Sequence, residues 1–302
     1  MNYNPENYKA GFVALLGIPN AGKSTLTNCL VGEKVSIVTN KPQTTRRRIS
    51  GIVSQRNFQA ILVDAPGAVE NTSGLNQFLR DELDDVIRGA DTVLALLNLD
   101  APSPEPLDRI IEMAQNCGKP WAAVISKTDL GHGNRSHTLK AKLENSSIPY
   151  IEISAHSEPQ ETRDKVFAII KNLLPPSPAP LYSDEAPTTE NVRDIVAETI
   201  REKCFEVLFQ EIPYQLAVQI RAFEEGTTLT KIYADIIIEK ENQRKIVVGM
   251  GAANIKMIGT RARVIIEKLI GHKVYLELHV KVKKKWFKDP IVLKELGYVI
   301  KA

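Results

Sequence analysis

Eight residues near the N-terminus have the types and spacing of a phosphate-binding loop. Gly17 and Gly22 are separated by four residues and followed by Lys23 and Ser24. In this pattern backbone N–H groups wrap a chain of phosphates, which bulky side chains would obstruct. Lys23 can then reach the β- and γ-phosphates, and the Ser24 hydroxyl can ligate Mg²⁺. We expect the same nucleotide site to include Asn20, Ala21, Gly22 and Thr25.

Two later stretches carry groups that respond to a γ-phosphate in nucleotide switches. Residues 41–48 form a polar loop in which Thr45, or secondarily Thr44, can offer a hydroxyl to the metal. Asp64 ends an apolar run and can hold the metal through water, while the N–H of Gly67 can reach the γ-phosphate. We therefore predict a metal site formed by Ser24, Thr45 and Asp64. The catalytic candidates from these patterns are Lys23, Thr45 and Gly67.

Groups suited to a purine base follow two other apolar runs. Ser126, Lys127 and Asp129 come directly after residues 121–125. A carboxylate such as Asp129 can accept both the N1 and N2 protons of guanine, which adenine cannot match, and a lysine stem can lie over the base. Ser154 and Ala155 follow residues 150–153, and the Ala155 N–H could serve the guanine O6. The predicted base contacts are Ser126, Lys127, Asp129, Ser154 and Ala155.

The elements that must position these groups alternate between short apolar runs and helical patterns. Apolar runs at 12–16, 93–97 and 121–125 are separated by helical spacing, and residues 49–63 have the pattern of a hairpin that leads to Asp64. Such alternation favours a parallel sheet covered by helices, with ligands at the carboxyl ends of its strands.

Length and composition limit the classes of protein. A chain of 302 residues is long for one core, so we expect two domains. No apolar run reaches the roughly 18 residues that span a bilayer, and the polar N-terminus does not have the pattern of a secretion signal. Cys29, Cys117 and Cys204 are scattered, which argues against both a disulfide framework and a zinc site and suits a reducing compartment.

A proline-rich stretch and a change in charge divide the chain. Residues 175–180 contain four prolines, which predicts a semi-rigid linker over 175–189 between domains at 1–174 and 190–302. From residue 240 onward there are 15 Lys or Arg against 5 Asp or Glu. This excess indicates a polyanionic partner, and charge alone does not separate a nucleic acid from a membrane surface.

The motifs of the first domain, at about 10–175, resemble those of the translation-factor-like GTPases and, more narrowly, the Era group. Pro19-Asn20 and the sequence Gln43-Thr44-Thr45-Arg46 are similar to that group's forms. The resemblance implies an α/β P-loop GTPase domain, with a mostly parallel sheet and helices on both faces, that uses GTP or GDP with Mg²⁺. Asn20 also matches a position that holds a monovalent cation in related GTPases, so K⁺ and a catalytic role for Asn20 are implied.

The second domain has a sequence pattern of helices and strands around a glycine turn. The patterns predict a helix at 192–209, strands at 216–223 and 231–238, a glycine turn between two helices, and a strand at 274–282. This α+β order resembles the type II KH fold, whose Gly-x-x-Gly loop grips single-stranded RNA. The competing interpretations are that the glycines form a purely structural turn and that the lysine cluster is a solvated strand end. The RNA-binding candidates are Gly249, Met250, Gly251, Ala252, Lys256, Arg261, Arg263, Lys283, Lys284, Lys285 and Trp286, the last by stacking on a base.

Together the two resemblances cover nearly the whole chain and imply GTP-dependent binding of the 3′ region of 16S ribosomal RNA in assembly of the small (30S) subunit. They also imply a monomer in the cytoplasm, with peripheral association with the inner membrane as a further expectation. Two other functions stay open at this point. One is an RNA-binding scaffold that holds GTP with little turnover, and the other is a membrane-surface GTPase whose lysines contact anionic lipid.

Three positions depart from the family pattern. Ser126 replaces an asparagine that ties the base loop to the phosphate loop, so we expect that tie to be lost and nucleotide affinity to fall. Ala68 stands where Ras-like enzymes carry a glutamine, so hydrolysis must rely on backbone, metal and a monovalent cation. Ala252 replaces the second glycine of the RNA loop, which shifts the expected affinity onto the nearby cations.

Overall fold

The computed structural model describes residues 7–38, 46, 48–67, 75–130 and 133–298. The chain forms two compact units. The first extends to Thr189, and the second includes the residues from Glu190 onward. The predicted Thr44 and Thr45, together with Ala68, lie outside the described residues.

In the first unit, the described strands form a six-stranded sheet. Their order is β2-β3-β1-β4-β5-β6, with β2 antiparallel to β3 and the other pairs parallel. This arrangement brings the ends of β1, β4, β5 and β6 to one edge. The strands are β1 (Lys9–Gly17), β2 (Ile49–Gln55), β3 (Phe58–Asp64), β4 (Thr92–Asn98), β5 (Trp121–Ser126) and β6 (Tyr150–Ile153).

Helices cover both faces of this sheet. In β4, Val93, Ala95 and Leu97 pack with the helices of one face, while Leu94 and Leu96 pack with those of the other. Because both faces are buried, the strands are continuous apolar runs rather than alternating ones. The helices are α1 (Lys23–Val31) and α5 (Pro159–Leu173) on one face and α2 (Leu75–Gly89), α3 (Glu105–Asn116) and α4 (Gly133–Asn145) on the other.

The proline-rich segment, predicted as a semi-rigid linker, is hydrogen-bonded to the first unit. Residues 175–189 lie along the first unit, where the Pro187 carbonyl accepts a hydrogen bond from the Ile52 N–H at 2.8 Å. The buried Gln59 side chain accepts hydrogen bonds from the N–H groups of Leu181 and Tyr182, at 2.7 and 2.9 Å. Prolines keep their carbonyl acceptors but lack N–H groups, so such a segment can border a sheet edge without extending the ladder.

The second unit has the predicted order of a KH domain. Its three-stranded sheet has the order β7-β8-β9, antiparallel and then parallel. The core joins Ile200 and Cys204 of α6 to Ile236 of β8 and Ile258 of α8. The elements are α6 (Val192–Val207), β7 (Ala217–Glu224), β8 (Leu229–Ile238), α7 (Glu241–Val248), α8 (Ala253–Ile270), β9 (Lys273–Val282) and α9 (Pro290–Glu295).

The described residues contain neither a candidate membrane helix nor a candidate metal cluster. No helix there combines the length and apolar character that a membrane crossing requires. That part of the chain also contains no cluster of three or more His, Cys, Asp or Glu side chains with the arrangement of a metal site. Cys204 is buried in the core of the second unit, where burial raises the pKa of its thiol to about 12.

Candidate nucleotide site and nucleic-acid interface

The phosphate-binding loop joins β1 to α1 and depends on glycine at both ends. A Cβ added to Gly17 would lie 2.9 Å from the Cβ of Ala21 and 3.1 Å from the Leu96 carbonyl oxygen. Gly22 has a φ of 93°, in the left-handed region that glycine adopts at little cost, and it caps the start of α1. The turn therefore places the N-terminus of α1 at the open edge of the sheet, where its N–H groups can bind phosphate.

Lys23 is buried inside this loop. Its Nζ donates hydrogen bonds to the carbonyl oxygens of Gly17 and Ile18, at 3.0 and 3.1 Å. Burial lowers the pKa of Lys23, and the nearby Asp64 carboxylate opposes that shift. A cation held by neutral carbonyls at the base of a phosphate loop is positioned to meet the negative charge of a triphosphate.

Ser24 and Asp64 meet beside Lys23, as the predicted metal site requires. The Ser24 hydroxyl donates to Asp64 Oδ2 at 2.5 Å. Asp64 is fully buried, and its Oδ1 has no hydrogen-bond partner among the described residues. Burial raises the pKa of this carboxyl group, against the opposing effects of Lys23 and the Ser24 hydroxyl. A buried carboxylate oxygen in need of a partner, next to a hydroxyl, fits the oxygen ligands that Mg²⁺ prefers.

Gly67 brings the segment after β3 against the phosphate loop. A Cβ added at Gly67 would lie 2.8 Å from the backbone nitrogen of Pro19, so only glycine allows this approach. Gly67 lines the same cleft as the phosphate loop. Its predicted position near the γ-phosphate agrees with this geometry.

Ser126 maintains the tie that the sequence suggests is lost. Its buried hydroxyl donates to the Ala21 carbonyl at 2.8 Å, which links the end of β5 to the phosphate loop. The tie that the family makes with asparagine is therefore made here by a serine hydroxyl, and the expected fall in nucleotide affinity stays a prediction. The shorter side chain can make the tie because β5 ends close to Ala21.

Asp129 is exposed at the end of the site where the guanine base is expected, the base end, and its carboxylate is oriented by Ser154. The Ser154 hydroxyl donates to Asp129 Oδ1 at 2.7 Å, and this hydrogen bond is the main cause of the lowered pKa of Asp129. The carboxylate therefore stays ionised and able to accept hydrogen bonds from the N–H groups of a nucleobase. Ser154 itself is buried and does not line the cleft, so it acts through Asp129 instead of as the predicted direct contact.

Lys127 has a partner that the sequence patterns do not reveal. Its backbone is left-handed, with a φ of 62°, and its Nζ donates to Asp100 Oδ2 at 2.8 Å. Burial opposes ionisation of Asp100, but hydrogen bonds from Lys127 and Asn98 outweigh it and lower the pKa of that carboxyl group. The sequence feature that could have suggested this pair is the position of Asp100, two residues after β4, the strand that pairs with β5.

Apart from Asp64 and Ser154, which lie behind its lining, these groups line one cleft of about 590 Å³ along the carboxyl edge of the sheet. Such a volume falls in the range of small-molecule sites. The phosphate loop forms one end, and Lys127 and Asp129 lie at the other. The cleft lining includes the predicted Asn20, Ala21, Gly22, Thr25 and Ala155 and, in addition, Ile37, Val38, Leu130 and His156, which the sequence patterns did not single out.

The glycine turn of the second unit joins α7 to α8 and has three residues with positive φ. Gly249, Gly251 and Ala252 have φ values of 75°, 59° and 64°. A Cβ added to Gly249 would lie 2.8 Å from the Asn254 nitrogen, whereas one added to Gly251 would meet nothing within 4 Å. Met250 is 96% exposed at the tip. Ala252 accepts a left-handed conformation that costs a non-glycine residue about 1–2 kcal/mol, which indicates that the turn is retained despite the substitution.

Three of the predicted cations are exposed on α8, after this turn. The Lys256 ammonium lies 3.5 Å from the Gly251 carbonyl, and Arg263 is exposed one turn beyond Gly259. Arg261 is also exposed, and its guanidinium lies 3.5 Å from Glu206. This arrangement gives the turn a positively charged side.

The basic cluster after β9 is only partly available for a polyanion. Lys284 and Lys285 are exposed, but Lys283 is half-buried and pairs with Glu295 at 2.6 Å. Trp286 is fully buried, and its Nε1 donates to the Gln215 carbonyl at 2.9 Å. The prediction that Trp286 stacks on a base is wrong, because the ring is fully buried and has no face open to a base.

Comparisons with known proteins match both units. A family described as 50S ribosome-binding GTPase matches residues 12–127, and the KH domain family matches residues 211–287. The chain is 38% identical to GTPase Era of Geobacter metallireducens over 301 residues, which cover 99% of this chain and 100% of that protein. It is 37% identical to GTPase Era of Mycolicibacterium smegmatis, with 96% and 99% of the two chains covered.

Two solved structures resemble the whole chain. One is an Aquifex aeolicus Era variant bound to GDP·AlF4⁻, with a TM-score of 0.87, 31% identity, and 96% and 99% of the two chains covered. The other is Era in complex with MgGDPNP and nucleotides 1506–1542 of 16S ribosomal RNA, also with a TM-score of 0.87 and 31% identity, over 97% and 99% of the two chains. With both domains, their order and nearly the full length in common, the chain belongs to the Era family of GTPases.

Proposed function

We propose that this GTPase binds the 3′ region of 16S ribosomal RNA through its KH unit and acts in assembly of the small ribosomal subunit. The observation that carries the proposal is the turn at Gly249–Ala252, which has three positive φ values, an exposed tip at Met250 and Gly251, and the cations of α8 beside it. A turn of this kind lets an RNA backbone approach closely, and adjacent cations neutralise its phosphates. The Era complex with a 16S segment, which this chain resembles over 97% of its length, supports the identity of the RNA.

In the nucleotide site, the residues of this chain supply binding, orientation and charge. Asp129 accepts the N1 and N2 protons of guanine, and Lys23 carries positive charge to the β- and γ-phosphates. The Gly67 N–H can donate to a γ-phosphate oxygen, and this interaction strengthens as charge develops there. Ser24 and Asp64 would hold Mg²⁺, which neutralises phosphate charge when bound.

We further propose that K⁺ assists hydrolysis at Asn20. Asn20 is exposed in the cleft and has a left-handed backbone with a φ of 64°. Since the chain has Ala68 where a glutamine could orient water, additional positive charge beside the transferring phosphoryl group would compensate. An alternative role for Asn20 is purely conformational, because asparagine tolerates left-handed backbone better than most residues.

The test of RNA binding uses two glycines that are matched in geometry. Gly251 lies in the turn and Gly271 at the far end of α8; both have positive φ, 59° and 84°, and open space around an added Cβ. We expect Gly251→Asp to place a carboxylate against the RNA backbone and to lower affinity for a 16S oligonucleotide at least about tenfold. Gly271→Asp adds the same charge and comparable strain away from the turn, so its affinity should match wild type.

Fluorescence anisotropy with labelled RNA of nucleotides 1506–1542 would measure both variants, with GTP turnover as a check on the first unit. Equal RNA affinity for Gly251→Asp and wild type would contradict the proposed grip. Sedimentation with anionic liposomes, with and without competing RNA, would test the membrane alternative. Binding to liposomes that RNA does not displace, together with weak RNA binding, would favour that alternative over ours.

A further inference from the structure

Asp100 lies in the base end of the cleft and has donors on both carboxylate oxygens. Its Oδ2 accepts from Lys127 Nζ at 2.8 Å, and its Oδ1 accepts from Asn98 Nδ2 at 2.6 Å. Asn98 is the last residue of β4, and Lys127 follows the last residue of β5. The ion pair therefore connects the ends of two adjacent strands at the edge where nucleotide is expected.

The loop that carries Asp100 is held in place independently of Lys127. The Leu99 N–H donates to the Ser126 carbonyl at 3.3 Å. From α4, the Arg135 guanidinium donates to the carbonyls of Leu99, Ala101 and Pro102. Asp100 is thus a fixed anion, whereas Lys127 has a long flexible side chain that samples several rotamers when its ammonium has no partner.

We propose that Asp100 is a positioning residue for the guanine nucleotide and acts by holding Lys127. With its ammonium fixed on Asp100, the Lys127 stem stays at the end of the cleft that Asp129 also lines. An unfixed stem would lose rotamer freedom when nucleotide binds, and that loss weakens binding. This inference rests on the proposed guanine recognition at Lys127 and Asp129.

A double-mutant cycle separates this role from the alternatives. Asp100→Asn removes the charge but keeps the shape, Lys127→Met removes the ammonium but keeps much of the stem, and the third variant combines both. Kd for fluorescent GDP would be measured for each in the full-length protein. Asp100→Asn should weaken GDP binding about twofold to fivefold in the wild-type background, as the loss of a partly exposed ion pair does. In the Lys127→Met background it should have no further effect.

A matched ion pair elsewhere in the unit provides the control. Asp108 accepts from Lys142 at 2.6 Å, and neither residue lines the nucleotide cleft. Asp108→Asn should leave GDP affinity unchanged. Asp100→Glu, which restores the charge, should recover part of the lost GDP affinity. Thermal unfolding without nucleotide would detect poor folding of Asp100→Asn, and Asp100→Glu would then provide the test.

Two results would overturn the inference. The first is GDP affinity in Asp100→Asn equal to that of wild type. The second is an undiminished effect of Asp100→Asn in the Lys127→Met background, which would mean that Asp100 contacts the nucleotide or supports the loop without Lys127. Failure of the wild type to bind GDP in preference to ADP would contradict the guanine recognition itself, so the two failures are distinguishable.

Discussion

The Ser126 hydroxyl donates to the Ala21 carbonyl at 2.8 Å and joins the base end of the nucleotide site to its phosphate loop. The two residues are 105 positions apart, and both are buried. Since one loop is expected to hold guanine and the other the phosphates, this hydrogen bond fixes the distance between the two recognition sites. It does so without the asparagine that is usual in the family.

Loss of this tie should weaken nucleotide binding. Ser126→Ala leaves the buried Ala21 carbonyl without its donor, and a hydrogen bond of about 0.5–1.5 kcal/mol corresponds to roughly a twofold to tenfold rise in Kd for GDP. Ser126→Asn, which restores the family's residue, should bind at least as tightly as Ser126→Ala. Isothermal titration calorimetry would measure all three proteins. Wild-type affinity in Ser126→Ala would show that the tie does not contribute.

The groups of the phosphate loop could be predicted because their spacing is local. Gly17 to Ser24 form one continuous segment that leads from the end of β1 into the start of α1. Asp64 is the last residue of β3, a strand that its own apolar run predicts. The tie at Ser126 and the partner at Asp100 could not, because each depends on how two strand ends meet in space. A pattern along the chain identifies a group's chemistry but not its distance from a distant residue.

Trp286 illustrates the same limit in the second unit. Its lysine-rich neighbours suggested an exposed strand end, yet its partner, the Gln215 carbonyl, is 71 residues earlier in the chain. The ring is buried by packing that local composition does not encode. Conversely, the order of elements was predicted because each strand and helix has its own periodicity, so the KH fold followed without knowledge of individual contacts.

Guanine binding should depend on pH through Asp129. The Ser154 hydroxyl holds the pKa of Asp129 below its ordinary value, so the carboxylate stays ionised until the pH falls through that lowered pKa. Protonation then removes an acceptor for N1 and N2, and GDP affinity falls. In Ser154→Ala the pKa should rise toward its ordinary value, so the loss of GDP affinity should begin at a higher pH than in wild type.

Fluorescent GDP binding between pH about 3 and 7, a range that extends below the ordinary aspartate pKa of about 3.9, would measure this shift. Asp129→Asn is the control, since it cannot titrate there and should favour xanthosine over guanosine nucleotides. Circular dichroism at each pH would show that the proteins remain folded. Superimposable pH profiles for wild type and Ser154→Ala would contradict the assigned role of Ser154.

Potassium should accelerate GTP hydrolysis through Asn20. If the amide oxygen of Asn20 helps to hold K⁺, replacing sodium chloride with potassium chloride at equal ionic strength should raise kcat at least about tenfold, within the range of electrostatic contributions to catalysis. Asn20→Gly keeps the left-handed backbone but lacks the oxygen, so it should lose the stimulation. Multiple-turnover phosphate release would measure both proteins. Equal stimulation in Asn20→Gly would assign Asn20 a conformational role only.

Replacing Trp286 should affect stability and leave RNA affinity unchanged. Trp286→Leu removes the ring from a fully buried site and leaves the Gln215 carbonyl without its donor. Loss of that buried volume should lower the free energy of unfolding by about 2–4 kcal/mol. Urea unfolding followed by circular dichroism would measure the change in stability.

The RNA affinity of the same variant distinguishes a core ring from a stacking one. Measured under conditions where Trp286→Leu is folded, it should stay within about twofold of wild type, whereas a stacked base would be worth about 1–3 kcal/mol. Replacing the exposed Lys284 and Lys285 with glutamine should give the opposite pattern, with near-normal stability, weaker RNA binding and a shallower dependence on salt, since each phosphate contact on a single strand contributes about −0.7 to the slope. A selective loss of RNA affinity in Trp286→Leu, with stability unchanged, would return the ring to the RNA surface.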